Sequence, residues 1–255
     1  KYVATTCMEV YRDARVYDTG SITVMEIMGR NAGWLAAASA LAKYKGMGPD
    51  LIYLPEIPFD LSDFISDVTR VYDKQGDVLV AVSEGIKDKN GTFISSYFSD
   101  MSKDKDAFGH ARMGGLADSL ANFANAKIKA KVRGIELSLL QRCAAHLASA
   151  TDIEEAYNAG KYAFEATLDG ITDKMVAFER EEGEDYKCKT ILIDLVEVAN
   201  VEKRIPREWI NEAGNGLLQP FIDYALPLIQ GETKMSREDG LPRFANLKRI
   251  MTREI

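Results

Sequence analysis

The sequence is poor in the residues from which disulfide frameworks and metal sites are built. It has three cysteines, Cys7, Cys143 and Cys188, and two histidines in 255 residues. An odd number of widely spaced cysteines predicts reduced thiols in a cytosolic protein rather than disulfides or a CxxC metal site. His110 and His146 stand apart from any HExxH pattern, so the sequence indicates no metal site in this chain.

Positive charge and long apolar runs are also scarce. Lys and Arg total 32 against 39 Asp and Glu, for a net charge of -7, which argues against nucleic acid or an anionic membrane as the main partner. The most apolar helical stretch, 34–42, is far shorter than the roughly 20 residues that span a bilayer, and no secretory segment opens the chain. We therefore expect a cytoplasmic protein in which locally clustered Arg or Lys bind any anionic ligand.

Short apolar strands alternate with helical segments over the first 140 residues. This alternation predicts right-handed βαβ crossovers and an α/β fold with a doubly wound, mostly parallel sheet and flanking helices. The predicted strands are 21–28, 51–54, 78–82 and 132–140, and the predicted helices are 31–45, 63–74 opened by Ser62, and 116–128.

The second half of the sequence has a less regular pattern. A polar stretch over 87–106 predicts a surface excursion. A helix is expected from Thr151, with Glu154 as its capping-box partner, to about Leu168. Two strands, 175–178 and 191–198, and a helix over 217–229 interrupted by Pro220 and Pro227 complete the prediction.

Polar residues follow each strand predicted in the first half. In open parallel sheets ligands bind beyond the carboxyl ends of the strands, so these residues are expected on one side of the sheet. Two Arg and two carboxylates in that position suit a phosphorylated polyol, because Arg binds phosphate bidentately and a carboxylate accepts from sugar hydroxyls. The four strand ends are Met28-Gly29-Arg30, Pro55-Glu56, Ser83-Glu84-Gly85 and Gln141-Arg142.

Each of these residues also has a purely structural interpretation. Arg30 is equally consistent with an exposed residue at a helix start, although Gly29 beside it permits close approach of an anion to the backbone. Glu84 is equally consistent with a surface salt bridge. Arg142, with Arg133 and Lys131, also fits a solvated basic face.

Four strings of the sequence resemble motifs of the phosphofructokinase family, in that family's order. They are MEIMGRNAGW (25–34), LPEIPF (54–59), VSEGI (82–86) and LLQRCAAHLAS (139–149). GHARMGG (109–115) and EVAN (197–200) are similar to the longer members, many of them pyrophosphate-dependent, and QRCAAH is particularly similar to that group. The resemblance covers nearly the whole chain but only the family's C-terminal portion. It implies that the N-terminal donor domain, with its GGD signature and the catalytic aspartate of a TIDND-like segment, is missing.

The resemblance implies an activity for the parent protein. That activity is phosphoryl transfer from pyrophosphate to the 1-hydroxyl of fructose 6-phosphate, which gives fructose 1,6-bisphosphate in glycolysis. Mg²⁺ would be bound through the donor phosphates and the missing domain, and the protein would be a homodimer or homotetramer. An ATP-dependent 6-phosphofructokinase and a non-catalytic sugar-phosphate-binding or regulatory subunit are the alternatives, and the isolated chain is expected to be inactive.

The resemblance also assigns residues to the sugar-phosphate half of the site. It implies that Met28, Gly29 and Arg30 form the loop against the sugar, and that the positive charge of Arg30 stabilises the transferring phosphoryl group and is catalytic. It implies that Glu84 accepts from sugar hydroxyls and that Arg142 holds the sugar phosphate. Arg133, expected on the same strand as Arg142, would reach a neighbouring subunit's 6-phosphate.

Two positions depart from the family pattern. Leu139 stands where members have a His or Tyr that contacts the 6-phosphate, and Ser21 stands where short bacterial enzymes have an intersubunit Arg. These departures predict a less basic pocket, or substitution by Lys1, Lys87 or Arg112.

Three parts of the chain are expected. Residues 1–142 would form the sugar-phosphate-binding α/β domain, 143–200 would hold a helix and strands returning toward the donor domain, and 201–255 would be a C-terminal helical segment. Without the donor domain, the apolar face formed by Ile153, Tyr157 and Phe164 should be uncovered.

Overall fold

A four-stranded parallel sheet forms the centre of the molecule in a computed structural model that describes residues 1–98, 115–183, 185–246 and 248. The strands stand in the order β2-β3-β1-β4, so the first strand lies inside the sheet. They are β1 (Ser21–Ile27), β2 (Leu51–Tyr53), β3 (Val78–Ser83) and β4 (Lys131–Glu136). The seven residues of β1 are all buried, as expected for a strand covered on both faces.

Helices cover both faces of this sheet. Alternate residues of β1 point to opposite faces, and Met25 and Ile27 pack with α1 (Tyr2–Ala14), α2 (Trp34–Ala37) and α3 (Ala40–Tyr44). On the other face, Ile22 and Val24 pack with α4 (Leu61–Gln75) and α5 (Leu116–Asn125). The predicted α/β fold with a doubly wound parallel sheet is confirmed.

Several predicted boundaries in this part were wrong. The helix expected over 31–45 is two short helices, because the chain turns at Ala38 and Ser39. Helix α4 is capped by Asp60 rather than Ser62, since the Asp60 carboxylate accepts from the N–H groups of Ser62 and Asp63. The strand expected over 132–140 ends at Glu136, and residues Ser138–Arg142 form a 3-10 helix. Arg142 is therefore not on the same strand as Arg133.

Residues 150–198 form a helix and an antiparallel hairpin beside the sheet. Helix α6 (Ala150–Leu168) is capped by Ser149, whose hydroxyl accepts from Asp152 N–H, and not by Thr151 as predicted. Strands β5 (Lys174–Arg180) and β6 (Cys188–Asp194) pair only with each other among the described residues. The end of the strand predicted over 191–198 is instead the short helix α7 (Leu195–Val198).

The expected apolar face of α6 is exposed. Ile153 is 49% exposed, Tyr157 72% and Phe164 65%. Phe178 on β5 of the hairpin is 51% exposed as well.

The C-terminal region is less helical than predicted and packs onto the main core. Proline limits the expected 217–229 helix to α8 (Gln219–Ala225), which is followed by a 3-10 turn over Pro227–Ile229. A second 3-10 turn covers Arg207–Trp209, and β7 (Arg237–Glu238) pairs with β8 (Leu241–Pro242). Buried side chains from this region join α1, α2 and α3 on one face of the sheet: Ile205, Ile210, Phe221, Ile222 and Ala225.

Some sequence predictions concern properties other than strand and helix bounds. The three cysteines are free thiols, as expected. In the parts of the chain that the structure describes, no helix is both long and apolar enough to cross a membrane. His110, Arg112, most of GHARMGG and the polar stretch from residue 99 onward lie outside the described residues.

Candidate functional site

The loop between β1 and α2, residues 28–33, is held at its start by side chains from two neighbouring strand ends. Met28 N–H donates to Gln141 Oε1 at 3.2 Å, and Gly29 N–H donates to Glu84 Oε1 at 3.3 Å. Gln141 Nε2 donates to Ser138 O at 2.9 Å, which turns the amide oxygen toward Met28. The predicted residues Met28, Gly29 and Glu84 therefore lie together.

Glycine is required at two points where these loops meet. Gly29 has a φ of +147°, and a Cβ there would lie 2.8 Å from Ala32 O and 3.0 Å from Ser83 Oγ. A Cβ on Gly85 would lie 1.9 Å from Arg30 O. A side chain at either position would push these backbone segments apart. The two glycines therefore allow the backbone of Arg30 to pack against the turn after β3.

Arg142 lies at the end of the 3-10 helix that also carries Gln141. It is exposed and lines a cleft of about 490 Å³ with Gln141, Cys143, Lys1 and Asp152. Gln141 accepts from Met28 N–H, so the residue immediately before Arg142 contacts the 28–33 loop.

Arg133 lies apart from this group. On β4 it stands opposite Thr23 of β1, four residues before the strand end at Ile27, which is roughly 13 Å along a strand. Its side chain is 37% exposed, and its guanidinium lies 3.8 Å from Asp13 of α1. The contact of Arg133 with a neighbouring subunit stays a prediction.

The two residues at which the sequence departs from the family pattern, Leu139 and Ser21, carry no positive charge that could bind a phosphate. Leu139 is 53% exposed and apolar. Ser21 begins β1 at the opposite end of the sheet, where its N–H and hydroxyl donate to Asp77 Oδ1. Lys1, expected as a substitute cation, forms an ion pair with Glu232 at 2.7 Å and donates to Gly231 O.

Glu26 is a buried acid beside the site that the sequence reading missed. It is 5% exposed, and its Oε2 accepts from Ala117 N–H at the start of α5 at 2.9 Å. Burial raises its pKa to about 7, the hydrogen bond from Ala117 opposes this rise, and the charges of Glu136 and Glu84 add to it. The sequence feature that points to this buried acid is a charged residue within the otherwise mostly apolar string SITVMEIM (21–28).

Glu56 contacts the other end of the 28–33 loop from Glu84 and Gln141 and does not lie beside them. Its Oε1 accepts from Gly33 N–H at 2.9 Å and from Ile205 N–H at 3.1 Å, so it faces the protein interior. His146 is exposed on a 3-10 turn. In the described ranges no three His, Cys, Asp or Glu side chains come together as a possible metal site.

Comparison with known proteins assigns the chain to a family. The model of the phosphofructokinase family matches residues 1–166, which include every candidate site residue. The chain belongs to the phosphofructokinase family. Among phosphofructokinases, it is 40% identical over 250 residues to a pyrophosphate–fructose 6-phosphate 1-phosphotransferase of Halomonas elongata, covering 97% of this chain and 58% of that protein. The corresponding protein of Xanthomonas campestris is 38% identical over 257 residues, covering 98% and 60%.

The fold also matches a solved phosphofructokinase structure. A pyrophosphate-dependent phosphofructokinase of Marinobacter aquaeolei superposes with a TM-score of 0.84 at 34% identity, covering 99% of this chain and 59% of that one. The chain thus spans about 60% of the length of these relatives.

Proposed function

We propose that this chain supplies the sugar-phosphate half of the active site of a pyrophosphate-dependent 6-phosphofructokinase. The observation that carries the proposal is the way the loop that contains Arg30 is held. The side chains of Glu84 and Gln141 accept hydrogen bonds from its backbone N–H groups, and Gln141 immediately precedes Arg142. The two curated relatives named above, whose names contain pyrophosphate and fructose 6-phosphate, match nearly all of this chain.

Arg142 is the group proposed to bind the 6-phosphate. An exposed guanidinium at the edge of a cleft presents several donors in a planar fork, which matches the oxygens of a phosphate. Because this phosphate does not react, its contact with Arg142 contributes to substrate binding in the ground state and in the transition state alike.

Arg30 is the group proposed to act on the reacting centre. Transfer of a phosphoryl group spreads negative charge over its oxygens, and a fixed cation stabilises that charge best when it needs no rearrangement. The backbone of Arg30 is confined by Gly85, and the preceding residue by Ser83 and Glu84. These contacts fix the backbone from which the Arg30 side chain extends.

Glu84 is proposed to hold the loop and the sugar together. One hydrogen bond from Gly29 N–H uses only part of the acceptor capacity of a carboxylate, which has two oxygens. A sugar hydroxyl that donates to the same carboxylate would lie beside the loop that carries Arg30.

Donor binding, Mg²⁺ binding and removal of the proton from the 1-hydroxyl are assigned to groups outside these 255 residues. We place the protein in cytoplasmic glycolysis as a homo-oligomer, in which Arg133 on β4 contacts a neighbouring subunit.

The test is a comparison of donors with the full-length gene product. Fructose 6-phosphate and Mg²⁺ are supplied with pyrophosphate or with ATP at matched concentrations, and fructose 1,6-bisphosphate is measured. We expect faster turnover with pyrophosphate. Faster turnover with ATP would refute the donor assignment, and the absence of product with either donor would favour the non-catalytic subunit.

A further inference from the structure

The far C-terminal part of the chain is joined to the end of the 28–33 loop by one carboxylate. Glu56 Oε1 accepts from the N–H of Gly33, the residue at the start of α2, and from the N–H of Ile205. These two residues are 172 positions apart in a chain of 255. Ile205 also lies outside the part that the family model matches, which ends at residue 166.

The approach of Glu56 depends on the absence of a side chain at residue 33. A Cβ on Gly33 would lie 2.8 Å from Glu56 Oε2 and 2.9 Å from both Leu54 Cδ2 and Pro55 Cδ. The Glu56 and Leu54 side chains could move aside for such a Cβ, but the Pro55 ring could not, and moving Glu56 would break its bond from Gly33 N–H.

A second contact joins the same two segments. Trp34 Nε1 donates to Lys203 O at 2.7 Å, and the Trp34 ring packs at 5.4 Å from Tyr224 and 6.3 Å from Trp209 between ring centroids. Ile205 is 3% exposed in the core below. The segment 203–205 is therefore fixed by the core on one side and by Glu56 and Trp34 on the other.

These contacts bear on Arg30 because the loop between them is short. The loop begins at Met28 and Gly29, which are held by Gln141 and Glu84, and it ends at Gly33, which is held by Glu56. Arg30 lies between these two anchored ends. If one end is released, the Arg30 backbone can move more, because the remaining anchor does not hold it in place by itself.

We infer that Glu56 is a positioning residue that couples the 203–205 segment to the loop carrying Arg30, and that the C-terminal segment thereby helps to set the rate of phosphoryl transfer. The inference rests on the proposed function. It assigns a part in the reaction to a region that the family match does not include.

Replacement of Glu56 by Gln tests this role with little change in volume. A carboxylate oxygen that accepts from two N–H groups makes charge-assisted bonds, and Glu56 Oε2 is buried without a hydrogen-bond partner in the described part of the chain. In Glu56→Gln one orientation of the amide buries an unsatisfied NH₂ at that position, and the other points NH₂ at two donors. Both orientations weaken the link.

The expected kinetic result separates positioning from substrate binding. In the full-length gene product, Glu56→Gln should lower kcat about tenfold and change the KM for fructose 6-phosphate less than about threefold, because Arg142 stands on a different turn. Trp34→Phe, which removes the bond to Lys203 but keeps a ring, should lower kcat in the same direction by a smaller factor. The matched control is Glu208→Gln, an exposed acid of the same region, which should leave both constants unchanged.

A second readout does not require catalysis. Amide hydrogen exchange of peptides covering 28–37 and 203–207, measured by mass spectrometry in the same protein, should be faster in Glu56→Gln and unchanged in Glu208→Gln. A folded Glu56→Gln variant with wild-type kcat or wild-type exchange in 28–37 would overturn the inference. If the wild-type protein has no activity with either donor, the proposed function fails, and the exchange result alone then decides whether Glu56 links the two segments.

Discussion

Replacing Glu26 by Gln should change how the stability of the protein depends on pH. The Glu26 side chain is 5% exposed, and burial raises its pKa from an ordinary 4.5 to about 7. The folded state therefore binds a proton more tightly than the unfolded chain does. Between about pH 4.5 and pH 7 the unfolded chain has lost this proton and the folded state still keeps it, so the free energy of unfolding falls as the pH rises. Above the folded pKa both states have lost the proton, and this contribution changes no further.

The size of the effect follows from the same two values. Each tenfold change in proton affinity corresponds to about 1.4 kcal/mol, so ionisation of Glu26 destabilises the folded state by an amount on the order of 3 kcal/mol at pH 8. A neutral Gln of nearly the same shape does not have this penalty, and its amide oxygen remains able to accept from Ala117 N–H.

Urea unfolding of the wild-type protein and of Glu26→Gln at a series of pH values from 5 to 8 measures the difference. We expect the stability of the variant relative to wild type to increase steadily with pH and to become constant above about pH 7.5. Glu212→Gln, at an exposed acid, serves as the control and should follow the wild-type curve. A constant difference between Glu26→Gln and wild type over this range would refute the reasoning.

Three further predictions concern the site and its surroundings. In the full-length gene product, Arg30→Ala should lower kcat by about 10²- to 10³-fold with a smaller effect on the KM for fructose 6-phosphate, as loss of a group that stabilises charge in the transition state does; an unchanged kcat would exclude that role. The isolated chain of residues 1–255 should form no fructose 1,6-bisphosphate with pyrophosphate or ATP in a coupled assay, and measurable product would contradict the assignment of donor and base to other residues. The same chain should self-associate or bind a dye that reports apolar surface, since Tyr157 and Phe164 are exposed and exposed apolar patches drive association, whereas a monodisperse and dye-silent monomer would show that this face needs no cover.

The parallel sheet was predictable because its signals are local. The buried strands β1 and β3 are rich in β-branched and apolar residues, and each is followed by a Gly-containing turn, so type and order could be assigned from short windows. The grouping of Met28, Gly29 and Glu84 followed from the rule that places ligands at strand carboxyl ends.

Boundaries failed where two local signals compete. Asp60 and Ser62 are both good helix caps. The structure assigns the cap to Asp60 because its carboxylate accepts from the N–H groups of Ser62 and Asp63. The apolar residues after Glu136 continue the strand pattern, yet Leu137 N–H donates to Glu26 O and the chain then turns into the 3-10 helix that ends at Arg142.

Long-range contacts could not be read from the sequence. Glu56 was expected to face a ligand because it follows a strand, but its partner Ile205 N–H comes from a segment 149 residues away. Nothing in the composition around residue 205 indicates that contact. The same holds for Phe221 and Ile222, which join the core of the sheet from the C-terminal region.

The central claim, that this chain binds the sugar phosphate, is tested most directly by Arg142→Ala in the full-length gene product. Initial rates are measured over a range of fructose 6-phosphate concentrations at saturating donor. The account predicts that kcat/KM for the sugar falls by a factor equivalent to about 2 to 4 kcal/mol, mainly through a higher KM, because a charge-assisted contact to a non-reacting phosphate is lost. A KM for fructose 6-phosphate that stays at the wild-type value would contradict it.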